Sequence, residues 1–161
     1  MSYDFNAAEV YKIAITIEEN GKRFYEESQK SIDVPEVKQL FAELAQQEVD
    51  HKHRFESLMA QIPPASSAPT VWDPENELDK YIKMMADMHI FVGDITGQVT
   101  QVKDARSALK MAIEFEKDSV IFFLSLEDAM AGQKDQELIK TLVKEEQAHL
   151  RRLTLELNKL K

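Results

Sequence analysis

The stretch that decides the fold is "EVDHKHRF" at residues 48–55, together with its counterpart "EEQAHLRR" at residues 145–152. Each stretch contains a glutamate followed three positions later by a histidine: Glu48 with His51, and Glu146 with His149. Residues three apart on an α-helix lie on the same face. Both pairs fall on stripes of apolar residues at helical spacing. The sequence therefore predicts two helices that each carry a buried carboxylate beside a buried imidazole.

The two pairs belong to an internal repeat with an offset of 98 residues. The segment "IEENGKRFY" at residues 17–25 aligns with "FEKDSVIFF" at residues 115–123. Three pairs of ionisable residues coincide without a gap: Glu18 with Glu116, Glu48 with Glu146, and His51 with His149. A single Glu-x-x-His on a helix is more often a surface pair. Six residues that obey one offset are much harder to obtain by accident.

These six residues form a candidate metal site. Four carboxylates in an apolar core would cost several kcal/mol each if they were ionised and unpaired. Two divalent cations would balance the four negative charges and leave the imidazoles neutral. One glutamate from each of two helices, with a Glu-x-x-His from each of the other two, is the ligand set of dimetal-carboxylate bundles. The predicted metal ligands are Glu18, Glu48, His51, Glu116, Glu146 and His149.

Hydrophobic periodicity predicts an all-α fold over residues 1–161, read as a single domain. Four long helices form two hairpins, and a long crossover with a short helix joins them. The long helices are predicted at about 7–30, 34–61, 105–131 and 135–160, the crossover at about 62–104, and the short helix at about 74–88. Residues 89–103 show no clear periodicity. The predicted start signals are Asn6 with Glu9, Asp33 with Pro35, Asp73 with Pro74, and Asp104.

Other ionisable residues near the motifs are expected to lie outside the site. Helical geometry places them on other faces or beyond the helix ends: Glu19, Glu114, Glu145, His53 and His89. Met84, Met85 and Met88 are predicted to pack the short helix. Gly21 either leaves room for the metals or allows a close contact between helices.

Composition excludes several classes of function. The net charge of −9 argues against a phosphate-binding surface, so no nucleic-acid partner is expected. The longest strongly apolar run, about residues 120–126, is far shorter than a membrane span. The absence of cysteine excludes disulfides and thiolate metal ligands. Residues 1–10 show no secretory signal, so we expect a cytoplasmic protein without a membrane partner.

Four segments resemble the helical motifs of the rubrerythrin family, in order: "TIEENGKRFYEES", "LFAELAQQEVDHKHRF", "AIEFEKDSVIFF" and "LVKEEQAHLRRL". The resemblance implies a ferritin-like four-helix bundle of the diiron-carboxylate superfamily. It implies that Glu48 and Glu146 bridge two irons and that Glu18 and Glu116 bind them at the ends. It also implies that Tyr25 donates a hydrogen bond to a ligand carboxylate.

Three features depart from the family pattern. Full-length rubrerythrins carry a cysteine-ligated rubredoxin domain, whereas this sequence resembles the erythrin-type domain alone. Ser119 occupies the position of an extra glutamate that the family links to redox-dependent iron movement. The remaining six ligands are closer to those of bacterioferritin. Phe123, the repeat partner of Tyr25, lacks a hydroxyl.

The first functional hypothesis is a diiron oxidoreductase that reduces hydrogen peroxide or dioxygen in oxidative-stress defence. An external donor, such as a rubredoxin or a flavoprotein, would supply electrons. The second is a ferroxidase or iron-handling protein, although the chain ends with its fourth helix and lacks the fifth helix usual in cages. The third is a non-redox module that metals merely stabilise. The same ligands suit manganese or zinc as well as iron. The paired helices, like the family, predict a homodimer.

Overall fold

The computed structural model describes residues 7–62, 75, 77–130 and 132–160. Six α-helices follow one another in these ranges: α1 (Ala7–Ser28), α2 (Pro35–Ala60), α3 (Glu77–Met88), α4 (Thr96–Thr100), α5 (Ala105–Ala129) and α6 (Gln133–Lys159). No strand occurs within them, so the predicted all-α class is confirmed.

The long helices form two hairpins. Helix α1 packs along α2, and α5 packs along α6. Short connections join the members of each pair, which makes them antiparallel neighbours. Helix α3 packs against α5 and α1, and α4 packs against α1, so the crossover lies against the bundle. None of the described helices is long and apolar enough to cross a membrane.

The helix bounds differ from the predicted ones mainly at helix ends. Helix α1 ends at Ser28 rather than at residue 30, because the chain tightens there into a 3₁₀ turn at Gln29–Ser31. Helix α5 ends at Ala129 rather than at residue 131, and α6 begins two residues earlier than predicted. Helix α4 lies in the segment that showed no periodicity. Its five residues are too few to produce a recognisable pattern.

The start signals were partly right. Asp104 caps α5, since its Oδ1 accepts from the Ser107 backbone N–H at 2.8 Å and Ser107 Oγ accepts from the Asp104 N–H at 3.1 Å. The prediction for Asp33 was wrong, because Val34 is the N-cap of α2 and makes no side-chain cap. Pro35 occupies the first turn, as expected. The other two predicted starts, at residues 6 and 73–74, lie outside the described residues.

Aromatic side chains fasten the crossover to the bundle. Phe91, just after α3, is fully buried. Its ring stacks on Phe115 of α5 at 4.6 Å between centroids and lies 4.9 Å from Phe24 of α1. Burial of such a ring contributes roughly 2–3 kcal/mol. The crossover is therefore held to both hairpins.

The prediction that the three methionines pack α3 was wrong for two of them. Met84 is 62% exposed and Met88 is 72% exposed, whereas Met85 packs against the core. The buried face of α3 is instead formed by Ile82 and Ala86. Sequence spacing alone did not distinguish the two faces, because both carry apolar residues.

Candidate metal centre

The six predicted metal ligands meet at the centre of the bundle. One glutamate comes from α1 and one from α5, and a Glu-x-x-His pair comes from each of α2 and α6. Each of the six is at most 2% exposed: Glu18, Glu48, His51, Glu116, Glu146 and His149. Helical spacing turns each Glu-x-x-His pair to one side, so all ligand-type atoms point into a single space.

These residues form two overlapping groups, and within each group the ligand atoms lie within 4.8 Å of one another. The first group is Glu18, Glu48, His51 and Glu146, and the second is Glu48, Glu116, Glu146 and His149. Glu48 and Glu146 belong to both groups and therefore lie between the two positions. The offset of 98 residues that relates the two halves of the sequence also relates the residues of one group to those of the other. Each offers three carboxylates and one imidazole.

Most carboxylate oxygens of the cluster have no hydrogen-bond partner. Both oxygens of Glu18 and of Glu48 lack one, as do Oε2 of Glu116 and Oε1 of Glu146. Among the other described residues, the Ser28 hydroxyl is the one buried side-chain atom in this condition. Buried polar atoms are normally hydrogen-bonded, and buried charges are normally paired or coordinate metals. The cluster is therefore suited to binding metal ions.

Each imidazole is oriented with one nitrogen inward and one outward. Nδ1 of His51 lies 2.8 Å from Oε1 of Glu146, and Nδ1 of His149 lies 3.1 Å from Oε2 of the same glutamate. The outward Nε2 of His51 donates to Glu145 at 3.0 Å, and that of His149 donates to the carbonyl oxygen of Gln47. Because the outer partners hold Nε2, Nδ1 is the nitrogen that would bind a metal after losing its own proton.

Without bound cations, the electrostatics of the cluster favour protonated side chains. Burial, with the nearby charges of Glu18 and Glu146, raises the pKa of Glu48 well above its usual value. Burial and Glu146 likewise raise the pKa of Glu116. Burial opposes protonation of His149, but hydrogen bonds to Glu116 and Glu146 raise its pKa to about 10. A bound metal would displace these protons.

The Tyr25 hydroxyl donates to Oε1 of Glu116 at 2.5 Å. Its ring packs edge-on against Phe41 at 5.0 Å, which fixes its direction. Burial, together with the charge of Glu116, raises the pKa of Tyr25 well above its ordinary value, so the phenol stays protonated and remains a donor. The structure thus places Tyr25 beside a candidate ligand, where the resemblance expected it.

Gly21 lies where a side chain of α5 and one of α2 approach the backbone of α1 closely. A Cβ at this position would lie 2.5 Å from Cζ of Phe115 and 3.1 Å from Oε2 of Glu48. Both distances are shorter than normal contacts. The two readings offered by the sequence therefore coincide, since the missing side chain admits a neighbouring ring and leaves space beside a candidate ligand.

Glu145 and Gln47 were missed as partners of the site. Glu145 is outside both ligand groups, yet it accepts a hydrogen bond from His51 across the bundle and also pairs with Arg54 at 2.6 Å. One signal was available, since Gln47 and Glu145 coincide under the repeat offset. Glu114 and His53, by contrast, are exposed as expected.

His89 is not the peripheral residue that the sequence suggested. It is only 3% exposed, and its Nε2 donates to Ser119 Oγ at 3.0 Å. Its Nδ1 accepts from the Phe91 backbone N–H at 3.0 Å. Burial lowers the pKa of His89 to about 4, so the ring is neutral. Ser119, at the position of the family's extra glutamate, is thus hydrogen-bonded to His89 of the crossover.

A surface pocket of about 430 Å³ reaches the cluster between α1 and α2. Glu18 and Glu48 contribute to its inner wall, and its rim includes Lys22, Lys52 and His53. Neither glutamate is exposed to water, so the pocket stops at the cluster rather than opening it.

Comparisons with known proteins identify the fold and the family. The crystal structure of a putative ferritin-like diiron-carboxylate protein from Thermotoga maritima matches with a TM-score of 0.73 and 24% sequence identity over 100% of both chains, which establishes the ferritin-like fold. No curated protein sequence matched significantly. A profile of the Rubrerythrin family matches residues 9–157, which include all six candidate ligands. The chain therefore belongs to the rubrerythrin family.

Proposed function

We propose that the chain is a non-haem diiron oxidoreductase that reduces hydrogen peroxide or dioxygen with electrons from an external donor. The observation that carries this proposal is the set of buried carboxylate oxygens without partners in two overlapping ligand groups. Membership of the rubrerythrin family supports iron as the metal. Carboxylate-rich sites also favour iron oxidation, because hard oxygen donors stabilise the higher charge of iron(III).

The ligand roles follow from the two groups. Glu48 and Glu146 belong to both and would bridge the ions. Glu18 with His51 would complete one position, and Glu116 with His149 the other. A pair of iron(II) ions held by these residues would supply two electrons, the number needed to reduce one hydrogen peroxide, with two protons, to two waters.

The surrounding residues prepare this chemistry. The Tyr25 hydroxyl orients the Glu116 carboxylate, and the outward hydrogen bonds of the imidazoles keep Nδ1 available. The pocket between α1 and α2 provides a route for a small oxidant. The sequence contains no cysteine for an internal iron–sulfur centre, so a rubredoxin or flavoprotein would restore the reduced state.

Ferroxidase activity is the second candidate. It is favoured by Ser119, which leaves six candidate ligands because its hydroxyl pairs with His89 rather than with the cluster. In that case iron(II) would be the substrate, and repeated addition of iron(II) with dioxygen would give iron(III) beyond two ions per chain. Peroxide-dependent turnover without such accumulation favours the first candidate.

The experiment is metal analysis of anaerobically purified protein, followed by optical titration with peroxide. We expect about two irons per chain and a rapid colour change on peroxide addition. Glu48→Ala and Glu146→Ala should each lose both ions, because both residues serve both positions. Glu114→Ala, an exposed glutamate on α5, is the matched control and should retain them. Metal retained in both buried variants would overturn the proposal, and bound metal inert to peroxide would favour the non-redox module.

We also propose that the chain forms a homodimer through α3 and α5. Apolar side chains are exposed on both helices: Tyr81, Met84, Met88, Ile121 and Leu124. The Ser125 hydroxyl donates to the Tyr81 hydroxyl at 3.3 Å, which places the two helices side by side at this surface. Light scattering should show a dimer, and the double variant Met84→Glu/Met88→Glu should be monomeric. An unchanged dimer would place the interface elsewhere.

A further inference from the structure

The two halves of the cluster have different outer partners. Nε2 of His51 donates to a carboxylate, Glu145, at 3.0 Å. Nε2 of His149 donates to a carboxamide, Gln47. Gln47 and Glu145 are equivalent under the repeat, so the difference is a change of chemistry at one repeated position. One imidazole therefore faces a negative charge where the other faces a neutral dipole.

The arginines near these partners differ in the same way. Arg54 binds Glu145 through both terminal nitrogens, at 2.6 Å and 3.3 Å, and holds it as an ionised carboxylate. Its repeat equivalent, Arg152, pairs instead with Glu43 at 2.6 Å. Both guanidinium groups lie at the surface, where solvent screens their charge from the interior. Glu145 is therefore the fixed charge that touches the imidazole.

The terminal glutamates differ too. Glu116 accepts the short hydrogen bond from Tyr25, which withdraws electron density from its carboxylate. The equivalent of Tyr25 is Phe123, and both oxygens of Glu18 lack a hydrogen-bond partner. Glu116 therefore has an outer hydrogen bond that Glu18 lacks.

We propose that the two metal positions are unequal, and that the position formed by Glu18 and His51 binds a divalent cation more tightly than the one formed by Glu116 and His149. This inference rests on the proposed dimetal site. A carboxylate that accepts from a ligand imidazole raises its basicity toward the metal, and loss of such a partner typically lowers affinity about 10–100-fold. The carboxylate partner belongs to His51, so this difference favours the position formed by Glu18 and His51.

The test is a titration of the metal-free full chain with Mn²⁺, followed by calorimetry and by electron paramagnetic resonance. Isolated and paired Mn²⁺ ions give different spectra, so the readout needs no catalytic activity. In the wild type we expect a tight first step with the spectrum of an isolated ion and a weaker second step with that of a coupled pair. Repulsion between ions can separate two steps even at equal positions, so the variants decide the assignment.

Two exchanges at the repeated position should act on different steps. Glu145→Gln gives both imidazoles an amide partner and should weaken the first step about 10–100-fold while leaving the second nearly unchanged. Gln47→Glu gives both a carboxylate and should strengthen the second step. Glu114→Gln should change neither step. Circular dichroism checks that each variant is folded.

Two outcomes would overturn the inequality of the two positions, and a third would also overturn the proposed function. If Glu145→Gln leaves both steps unchanged, or if Gln47→Glu strengthens the first step rather than the second, the positions do not differ as argued. Either result leaves the dimetal site intact, because two ions still bind. If the wild type binds fewer than two ions at the cluster, the proposed function fails together with this inference.

Discussion

The histidines of the two hairpins and of the crossover are buried to the same extent, but their ring nitrogens have different kinds of partner. His51 and His149 of the hairpins are each 2% exposed, and His89 of the crossover is 3% exposed. Both nitrogens of His89 have ordinary partners, in Ser119 and the Phe91 backbone. The inward nitrogens of the hairpin histidines face Glu146, in a cluster where both oxygens of Glu18 and of Glu48 lack a hydrogen-bond partner. Burial alone therefore does not identify a metal ligand; unpartnered neighbours do.

Replacing one histidine from each region should give the largest difference in metal binding. We expect His149→Ala to weaken binding at its position by more than the roughly 10–100-fold effect of losing an outer partner. His89→Asn keeps an acceptor near the Phe91 N–H and should leave both metals bound. Metal analysis after anaerobic dialysis gives the ratio of metal to chain. Equal loss in the two variants would mean that His89 also takes part in binding.

Removal of the crossover ring tests whether the crossover folds with the hairpins. Phe91→Ala should lower the free energy of unfolding by about 3–5 kcal/mol, because a fully buried ring packed on Phe24 and Phe115 leaves a cavity. Phe55→Ala, in the core of a hairpin, is the matched comparison. Urea unfolding should show one transition in each. A much smaller loss for Phe91→Ala would show that the crossover opens independently.

Glycines of the two regions should respond differently to a methyl group. Gly21→Ala on α1 should destabilise the protein by about 1–3 kcal/mol, since its Cβ would overlap the Phe115 ring. Gly97→Ala on α4 has no atom within 4 Å of the added group and should be neutral or slightly stabilising. Thermal unfolding of metal-free protein measures both. Equal stability of the two variants would mean that the Phe115 ring moves aside freely.

The crossover histidine also predicts a pH dependence. Burial lowers the pKa of His89 to about 4 from 6.5, although the charge of Glu146 opposes the shift. The unfolded chain then takes up a proton below about pH 6.5 that the folded chain does not. Stability from neutral His89 is present above that pH and falls toward pH 4, by about 2 kcal/mol at pH 5. His89→Asn should lose less stability than the wild type between pH 7 and pH 5. Parallel losses would contradict this.

The same contrast explains what the sequence could predict. The hairpins follow from helical periodicity, and the six candidate ligands follow from one repeat offset, because both are local or repeated properties of the chain. The partner of His89 is set by how the crossover packs on α5, thirty residues away in sequence. No periodic pattern encodes such a contact.

The outer partners of the two ligand histidines, Glu145 and Gln47, were only partly predictable from the sequence. Glu145 lies next to a predicted ligand, yet its role depends on α6 crossing α2 at a particular height. The repeat aligns Glu145 with Gln47. That alignment does not indicate a role for either residue, because their contacts with the imidazoles are visible only in the structure. The ends of α1 and α5 differ from the predicted ones for a simpler reason: α1 passes into a 3₁₀ turn, and the backbone becomes extended at Met130 after α5.

The most direct test of the metal site is anomalous diffraction from crystals of the iron-loaded protein. We expect two peaks at the bundle centre, roughly 3.5–4 Å apart, with Glu48 and Glu146 bound to both ions and one histidine Nδ1 bound to each. A map without peaks among these residues, from protein that contains stoichiometric iron, would contradict the site. It would mean that the buried carboxylates are balanced by protons alone.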